Sequence, residues 1–210
     1  MSEVFATEYF CARQKELDEI HSELSGDGSR RTVILHGLGG IGKTQLAVAY
    51  AKRYRADYSA IFWLNSKDED SLKQSFARVA RRILQEHPLH SRLSAVDEKD
   101  LDGLVVAVKL WLSLSKNTRW LIVYDNYDNP KLPVNIDQTA IDIRLFLPEA
   151  HQGSIIITTR SSEVKIGHRI RVGKLEDIQD GLNILSYASG RERLMEGELY
   201  FVVMDRELTR

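Results

Sequence analysis

Four residues in the stretch "VILHGLGGIGKTQLAVAYAKRY" (33–54) have the types and the spacing of an anion-binding site. Gly37, Gly42, Lys43 and Thr44 satisfy the pattern G-x-x-x-x-G-K-[ST], in which backbone N–H groups at a helix N-terminus surround phosphate groups. Glycines permit main-chain angles that a side chain would forbid, so several amides can converge on one anion. The pattern lies between a predicted strand and a predicted helix, which is the context that it requires. We therefore expect a phosphate-binding loop here, rather than a glycine-rich turn beside an unrelated lysine.

The lysine and the hydroxyl of such a loop have separate roles. Lys43 is expected to reach the β- and γ-phosphates of a nucleotide, and the Thr44 hydroxyl is expected to complete the coordination of Mg²⁺. The candidate nucleotide-binding residues of this segment are consecutive: Gly37, Leu38, Gly39, Gly40, Ile41, Gly42, Lys43, Thr44 and Gln45.

A carboxylate that could hold the same Mg²⁺ closes the apolar run "WLIVYD" (120–125). Asp125 has the position expected of an acidic side chain that holds the cation through water, although it could instead only begin a turn. The next residue is Asn126, where an efficient ATPase would have a glutamate to activate water, and an amide cannot accept that proton. Asp128 is a candidate substitute for the missing base. Catalytic roles are therefore assigned to Asp125 and Asp128, and any hydrolysis is expected to be slow.

A third charged residue follows the apolar segment "GSIIITT" (153–159). Arg160 is predicted to lie at the carboxyl end of a strand, on the side of the sheet where phosphates bind. An arginine there could contact a γ-phosphate and so report whether it is present. The alternative is a solvated arginine at the end of a strand.

Apolar segments rich in valine, isoleucine and aromatic residues alternate with helix-like patterns along the chain. Several of these segments are apolar at both odd and even positions, as strands are when helices cover both faces of a parallel sheet. The alternation predicts an open, mostly parallel α/β sheet that binds ligands beyond the carboxyl ends of its strands. The predicted strands are 32–36, 60–65, 120–125, 154–159 and 168–172, the predicted helices are 44–54, 70–85 and 100–115, and a short helix is expected near 137–146 within the long connection 126–153.

Composition limits the choice of partners. The 210 residues include 29 basic and 30 acidic ones, so the formal net charge of −1 does not call for nucleic acid or an anionic membrane. The chain has one cysteine, which excludes an internal disulfide framework, and no export signal or 18-residue apolar run is apparent. We expect a cytoplasmic protein whose main partner is a nucleotide.

Three motifs together resemble a known family. "GLGGIGKT", "WLIVYDN" and "GSIIITTR", in that order and at that spacing, resemble the NB-ARC nucleotide-binding domain of the STAND class of P-loop NTPases. The segment "AIFWLNSKDEDSLKQSFARVARRI" (60–83) and the Asp125-Asn126 pair are similar to those of the fungal, NLR-like members. The resemblance implies a three-layer α/β sandwich with a five-stranded sheet in the order 5-1-4-3-2. It also implies a signalling switch that binds ADP at rest and ATP when active, with Mg²⁺.

Two further expectations follow from the resemblance alone. "YFCARQKELDEI" (9–20) is similar to the segment that lies along the adenine in the family, and in it Arg13 matches while Cys11, Ala12 and Gln14 do not. Arg13 is thus a candidate adenine contact, with a surface helix cap as the alternative. Residues 1–174 are expected to form the nucleotide-binding domain, and residues 175–210 the start of a helical subdomain with a divergent tail, so that the chain looks truncated after the core.

Two other functions remain open at this point. One is an ATPase of the AAA+ kind that couples hydrolysis to work, which Asn126 and the missing second arginine-bearing lid domain disfavour. The other is a truncated interaction module that keeps the fold without switching. Self-association or protein partners would act through effector and sensor regions that the motifs do not cover.

Overall fold

The computed structural model describes residues 13–87, 91–133 and 135–175. Within them, five parallel strands form one sheet in the order β2-β3-β4-β1-β5, which is the predicted order 5-1-4-3-2 counted from the opposite edge. The predicted α/β fold class with a mostly parallel five-stranded sheet is therefore confirmed. The strands are β1 (Arg31–His36), β2 (Ala60–Asn65), β3 (Trp120–Asp125), β4 (Ser154–Thr159) and β5 (His168–Arg171).

Helices cover the two faces of this sheet. They are α1 (Gln14–Leu24), α2 (Lys43–Arg53), α3 (Glu69–Glu86), α4 (Ser91–Ser94) and α5 (Leu101–Leu112), with single 3₁₀ turns at Arg55–Asp57 and Ile143–Phe146. The three helices expected around α2, α3 and α5 are present within a few residues of their predicted bounds. No helix in the described part of the chain is long and apolar enough to cross a membrane.

The short helix expected near residues 137–146 exists only in its last turn, Ile143–Phe146. The Asp137 carboxylate accepts hydrogen bonds from both the backbone N–H and the hydroxyl of Thr139. This side-chain turn satisfies locally the backbone groups that a helix would have paired, so the first half of the segment turns instead. Asp142 then caps the single 3₁₀ turn by accepting from the N–H of Arg144.

The core is divided by the sheet into two layers. Side chains of a strand alternate between the two faces, so Val33 and Leu35 pack with α1 and α2, whereas Ile34 packs in the layer that contains α3 and α5. All six residues of β3 and all six of β4 are buried, because helices cover both faces of the central strands. This explains why their sequences are apolar at both parities.

The strand register brings the predicted site residues to one edge of the sheet. His36 at the end of β1 pairs with Thr159 at the end of β4, and Asn65 pairs with Asp125 at the end of β3. The segments that follow β1, β3 and β4 therefore leave the sheet side by side, although up to 123 residues separate them along the chain.

Candidate functional site

The loop between β1 and α2 has the backbone geometry that its glycines permit. A Cβ at Gly37 would collide with the backbone carbonyl of Val172, so the close approach of the chain after β5 requires a glycine there. Gly42 caps α2 with a φ of 97°, in the left-handed region that L side chains rarely adopt. The loop thus leads directly into the first N–H groups of α2, which have no partners within the helix.

Lys43, the first residue of α2, folds its side chain back over this loop. Its ammonium donates hydrogen bonds to the carbonyls of Gly37, at 3.0 Å, and Leu38, at 2.9 Å. Burial lowers the pKa of Lys43; the carboxylates of Asp128 and Asp125 oppose that lowering, and the positive charge of Arg160 adds to it. A buried cation therefore lies among the loop carbonyls, beside the charged residues of the other strand ends.

A hydroxyl and a carboxylate meet beside Lys43. The Thr44 hydroxyl donates to Asp125 Oδ1 at 2.8 Å, across 81 residues of sequence, and the Thr158 hydroxyl donates to the same oxygen at 2.5 Å. Asp125 is only 4% exposed, so these bonds fix the carboxylate. A threonine hydroxyl next to a carboxylate oxygen is the oxygen donor set that Mg²⁺ uses in phosphate-binding sites, where it keeps most of its waters. The residues present fit this cation.

Asn126 follows Asp125 in a left-handed conformation with a φ of 64°. Its backbone N–H donates to the Thr158 hydroxyl at 3.0 Å, and its amide nitrogen lies 3.4 Å from Asp125 Oδ2. Asparagine is one of the few side chains that tolerate this backbone region. The amide is thus turned toward the carboxylate as a donor.

Asp128 and Arg160 form an ion pair beside the loop. One carboxylate oxygen of Asp128 accepts from the backbone N–H of Arg160 at 2.8 Å, and the other lies 2.8 Å from Arg160 Nε. The guanidinium lies against the loop, since a Cβ at Gly39 would be 3.4 Å from its Cζ. The structure therefore brings Arg160 to the loop, as its position after β4 predicts.

Arg13 also contacts the loop, from the side of β5. Its Nη2 donates to the carbonyl of Ile41 at 3.0 Å and to that of Gly173 at 2.9 Å, and Nη1 pairs with Glu16 at 2.9 Å. The side chain is 7% exposed. Arg13 is the residue before α1, as the helix-cap alternative supposed, but its side chain is buried rather than on the surface.

Two polar residues at the site are absent from the sequence predictions. Thr158 organises the end of β3 through its bonds to Asp125 and Asn126, and the backbone N–H of Ser66 donates to the carbonyl of Asp125 at 2.7 Å. Their only signal is a polar residue at the end of an apolar strand, which many strands share. Of the remaining predicted residues, Leu38 is 71% exposed in the loop, and Gln45 lies in the first turn of α2.

The chain is similar in fold to two solved structures, which it matches over most of its length. It superposes on the crystal structure of Cdc6p from Pyrobaculum aerophilum with a TM-score of 0.56 and 14% identity, over 93% of this chain and 54% of that one. The ORC2 protein of Aeropyrum pernix, in its ADPNP–ADP complexes, gives a TM-score of 0.52 and 12% identity over 90% of this chain and 54% of its own. At such identities the likeness shows a shared fold alone.

Sequence similarity identifies the family. A nucleotide-binding leucine-rich repeat (NLR)-like protein of Hyaloscypha variabilis is 26% identical over 163 residues, which are 72% of this chain and 16% of that protein. This chain therefore spans only a small part of that relative's length. The model of the NB-ARC domain matches residues 13–187, which include all the site residues described above. The chain belongs to the NB-ARC domain family.

Proposed function

We propose that this chain is an adenine-nucleotide-binding switch domain, in which Mg²⁺–ADP or Mg²⁺–ATP sets the interactions of a signalling protein. Membership of the NB-ARC family supports a nucleotide-binding signalling domain. The observation that carries the proposal is the Thr44–Asp125 hydrogen bond of 2.8 Å at the N-terminus of α2, beside Lys43. The glycine-rich loop, the Lys43 ammonium and the two oxygen donors of Thr44 and Asp125 lie together at one edge of the sheet, which supports the proposal.

Each group of residues at the site is proposed to bind a different part of the Mg²⁺–nucleotide. The backbone N–H groups of the loop and of the first turn of α2 would donate to phosphate oxygens, whose negative charge the helix dipole would favour. Lys43, which now donates to two loop carbonyls, would hold the β- and γ-phosphates. Thr44 and Asp125 hold Mg²⁺, which neutralises phosphate charge when bound.

The choice of adenine rests on likeness to other proteins. The ORC2 relative in fold was solved with ADPNP and ADP, and the NB-ARC resemblance implies ADP and ATP. The resemblance alone supports Arg13 as a contact near the base; in the structure its guanidinium donates to the carbonyl of Ile41 in the loop. A cytoplasmic location and protein partners, including a second copy of the chain, are further parts of this proposal.

Hydrolysis is proposed to be slow, because the residue after the Mg²⁺ carboxylate is an amide. A general base typically contributes about 10²- to 10⁴-fold to a rate, and Asn126 cannot accept a proton. We expect turnover well below the median of about 10 per second that enzymes reach. Rapid turnover that depends on Lys43 would instead favour the alternative of an ATPase that couples hydrolysis to work.

Thermal unfolding with and without nucleotide tests the binding proposal. Mg²⁺–ADP or Mg²⁺–ATP at 100 times its dissociation constant should stabilise the fold by about 2.7 kcal/mol, which is roughly 5 to 11 °C for a domain of this size. Lys43→Ala should remove most of that shift. Lys52→Ala, an exposed lysine in the last turn of the same helix, is the matched control and should leave the shift unchanged. An unchanged melting temperature of the folded wild type with either nucleotide would contradict the proposal.

A further inference from the structure

We infer that Asp128 is a positioning residue that sets the preference of the site for ATP over ADP, by fixing Arg160 beside the phosphate loop. The inference rests on the proposed function, because the preference exists only if the site binds a nucleotide. It assigns to Asp128 a role in orientation, which is distinct from the role of a base.

Asp128 binds Arg160 at two places. Oδ1 accepts from the backbone N–H of Arg160 and Oδ2 pairs with its Nε, both at 2.8 Å. The backbone and the guanidinium of Arg160 are thus both bound to one carboxylate. Fixing a flexible arginine before its ligand arrives reduces the conformational entropy that binding would otherwise cost.

The bond uses only one edge of the guanidinium. Within the described residues, the Arg160 side chain forms an ion pair with Asp128 through its Nε. The donors on Nη1 and Nη2 therefore remain for another acceptor. The group lies against Gly39 of the loop and is 68% exposed, so an anion held by the loop can reach those donors.

Asp128 is itself held by the body of the domain. The preceding residue, Tyr127, is 3% exposed; its backbone N–H donates to the Thr158 carbonyl at 2.9 Å and its hydroxyl donates to the Ile141 carbonyl at 2.8 Å. The Asp128 N–H donates to the Asn126 carbonyl at 2.8 Å. The segment after β3 is therefore fastened to β4, two residues before Arg160. Because its backbone is fixed in this way, the Asp128 carboxylate can hold the exposed Arg160 side chain in one position.

The contacts of the two Asp128 oxygens favour a role in positioning Arg160 over a role as a general base. Oδ1 already accepts a hydrogen bond from the backbone N–H of Arg160, and Oδ2 already pairs with its Nε. A carboxylate that activates water must turn an oxygen toward that water, and doing so would release either the backbone or the side chain of Arg160. The geometry therefore favours a carboxylate that holds the arginine.

Calorimetric titration of ATP and ADP into four proteins tests the inference: the wild type, Asp128→Asn, Arg160→Ala and the double variant. We expect Arg160→Ala to lower the ATP:ADP affinity ratio about ten- to hundredfold, the effect of a lost charge-assisted hydrogen bond. Asp128→Asn should lower the ratio by about two- to fivefold, the range of an exposed ion pair. In the Arg160→Ala background, Asp128→Asn should change the ratio no further. The ADP arm corrects for effects on the adenosine and the first two phosphates. The loss of a negative charge would by itself favour the more highly charged ATP, so it cannot produce the expected fall in the ratio.

Glu163→Gln is the matched control, since it removes one negative charge three residues after Arg160 from an exposed side chain that pairs with Lys165. It should leave the ratio unchanged. An unchanged or raised ratio in Asp128→Asn, or an equal fall with and without Arg160, would overturn the inference. If Arg160→Ala lowers the ratio while Asp128→Asn does not, the proposed function stands and only the role of Asp128 fails. If the wild type binds neither nucleotide, both fail.

A second measurement needs no nucleotide. The Nε–H signal of Arg160 in ¹H–¹⁵N spectra can be identified by its loss in Arg160→Ala. We expect a sharp signal in the wild type and an exchange-broadened one in Asp128→Asn, because the ion pair protects this proton from solvent. An equally sharp signal in both proteins would show that Asp128 does not hold the guanidinium.

Discussion

Two arginines lie on the two sides of the loop between β1 and α2, and they are held in different ways. The loop follows β1, whose neighbours in the sheet are β5 and β4. Arg13 contacts Gly173 after β5, is 7% exposed and donates to the backbone carbonyls of Ile41 and Gly173. Arg160 follows β4, is 68% exposed and pairs with the carboxylate of Asp128.

This difference separates a structural arginine from one that is available to a ligand. Backbone carbonyls of fixed segments cannot release a buried guanidinium without losing their own partner. Arg13 therefore joins the start of α1, the loop and the chain after β5. Arg160 keeps its terminal donors accessible while one edge is anchored. The position of Arg160 after a strand predicts a γ-phosphate contact, and the family resemblance implies an adenine contact for Arg13. The contacts in the structure nevertheless predict that the two substitutions will have different effects.

Arg13→Ala should have the largest effect of the variants that test this comparison, and the effect should be on stability. The change removes a buried cation from two carbonyls and from Glu16, and bonds to charged groups contribute about 1.5 to 3 kcal/mol each. We expect the free energy of unfolding to fall by about 2 to 4 kcal/mol in urea titrations, given that such contributions are not additive.

Arg82→Ala is the control for that experiment, because Arg82 is 67% exposed and its ion-pair partner within the described ranges is Glu86, one turn away on α3. Its stability should change by no more than about 0.5 kcal/mol. A comparably small change for Arg13→Ala would remove the structural role from Arg13 and leave the proposed adenine contact as its main function.

Arg160→Ala should show the opposite pattern, with binding affected and stability conserved. Because the side chain is exposed, the free energy of unfolding should change by no more than about 0.5 kcal/mol. ATP binding should weaken by roughly 1.5 to 3 kcal/mol, while ADP binding stays nearly unchanged. Calorimetry with both nucleotides measures this directly. Equal losses for ATP and ADP, or no loss for either, would show that Arg160 does not sense the γ-phosphate.

The strands and the loop were predictable from the sequence because their signals are local. Strands buried on both faces are apolar at both parities, and the glycine pattern identifies the loop by its own spacing. The sheet order came from the family resemblance, and the register then places Asp125 and Arg160 at the loop edge.

Two of the unpredicted features, the burial of Arg13 and the role of Thr158, depend on long-range contacts. The bond from Arg13 to Gly173 spans 160 residues, so nothing near Arg13 in the sequence indicates its burial. Thr158 has the same appearance as any threonine in a strand, and its role emerges only when β3 and β4 bring it to Asp125. The turn at Asp137 replaced the expected start of a helix because side-chain hydrogen bonds satisfied the backbone there. Contacts formed by topology therefore decide the roles of Arg13 and Thr158, whereas the Asp137 turn depends on hydrogen bonds to a residue two positions away.

Asn126→Glu should have the smallest effect. It tests whether the absence of a general base, on the side of the loop where Arg160 lies, is what limits ATP hydrolysis. Glutamate supplies an acceptor for the proton of water, and we expect turnover of ATP to rise about tenfold, below the full 10²- to 10⁴-fold range of a well-placed base. The reason for the modest gain is the φ of 64° at this residue, which glutamate adopts at a cost of about 1 to 2 kcal/mol.

Asn126→Asp separates the effect of the base from the effect of the backbone conformation, because aspartate tolerates this conformation but holds its carboxylate closer to the main chain. It should keep the stability of the wild type and gain less in rate than Asn126→Glu. Steady-state phosphate release, measured with unfolding curves of the same proteins, provides both quantities. If Asn126→Glu binds ATP with wild-type affinity yet turns over no faster, the missing base is not what limits hydrolysis.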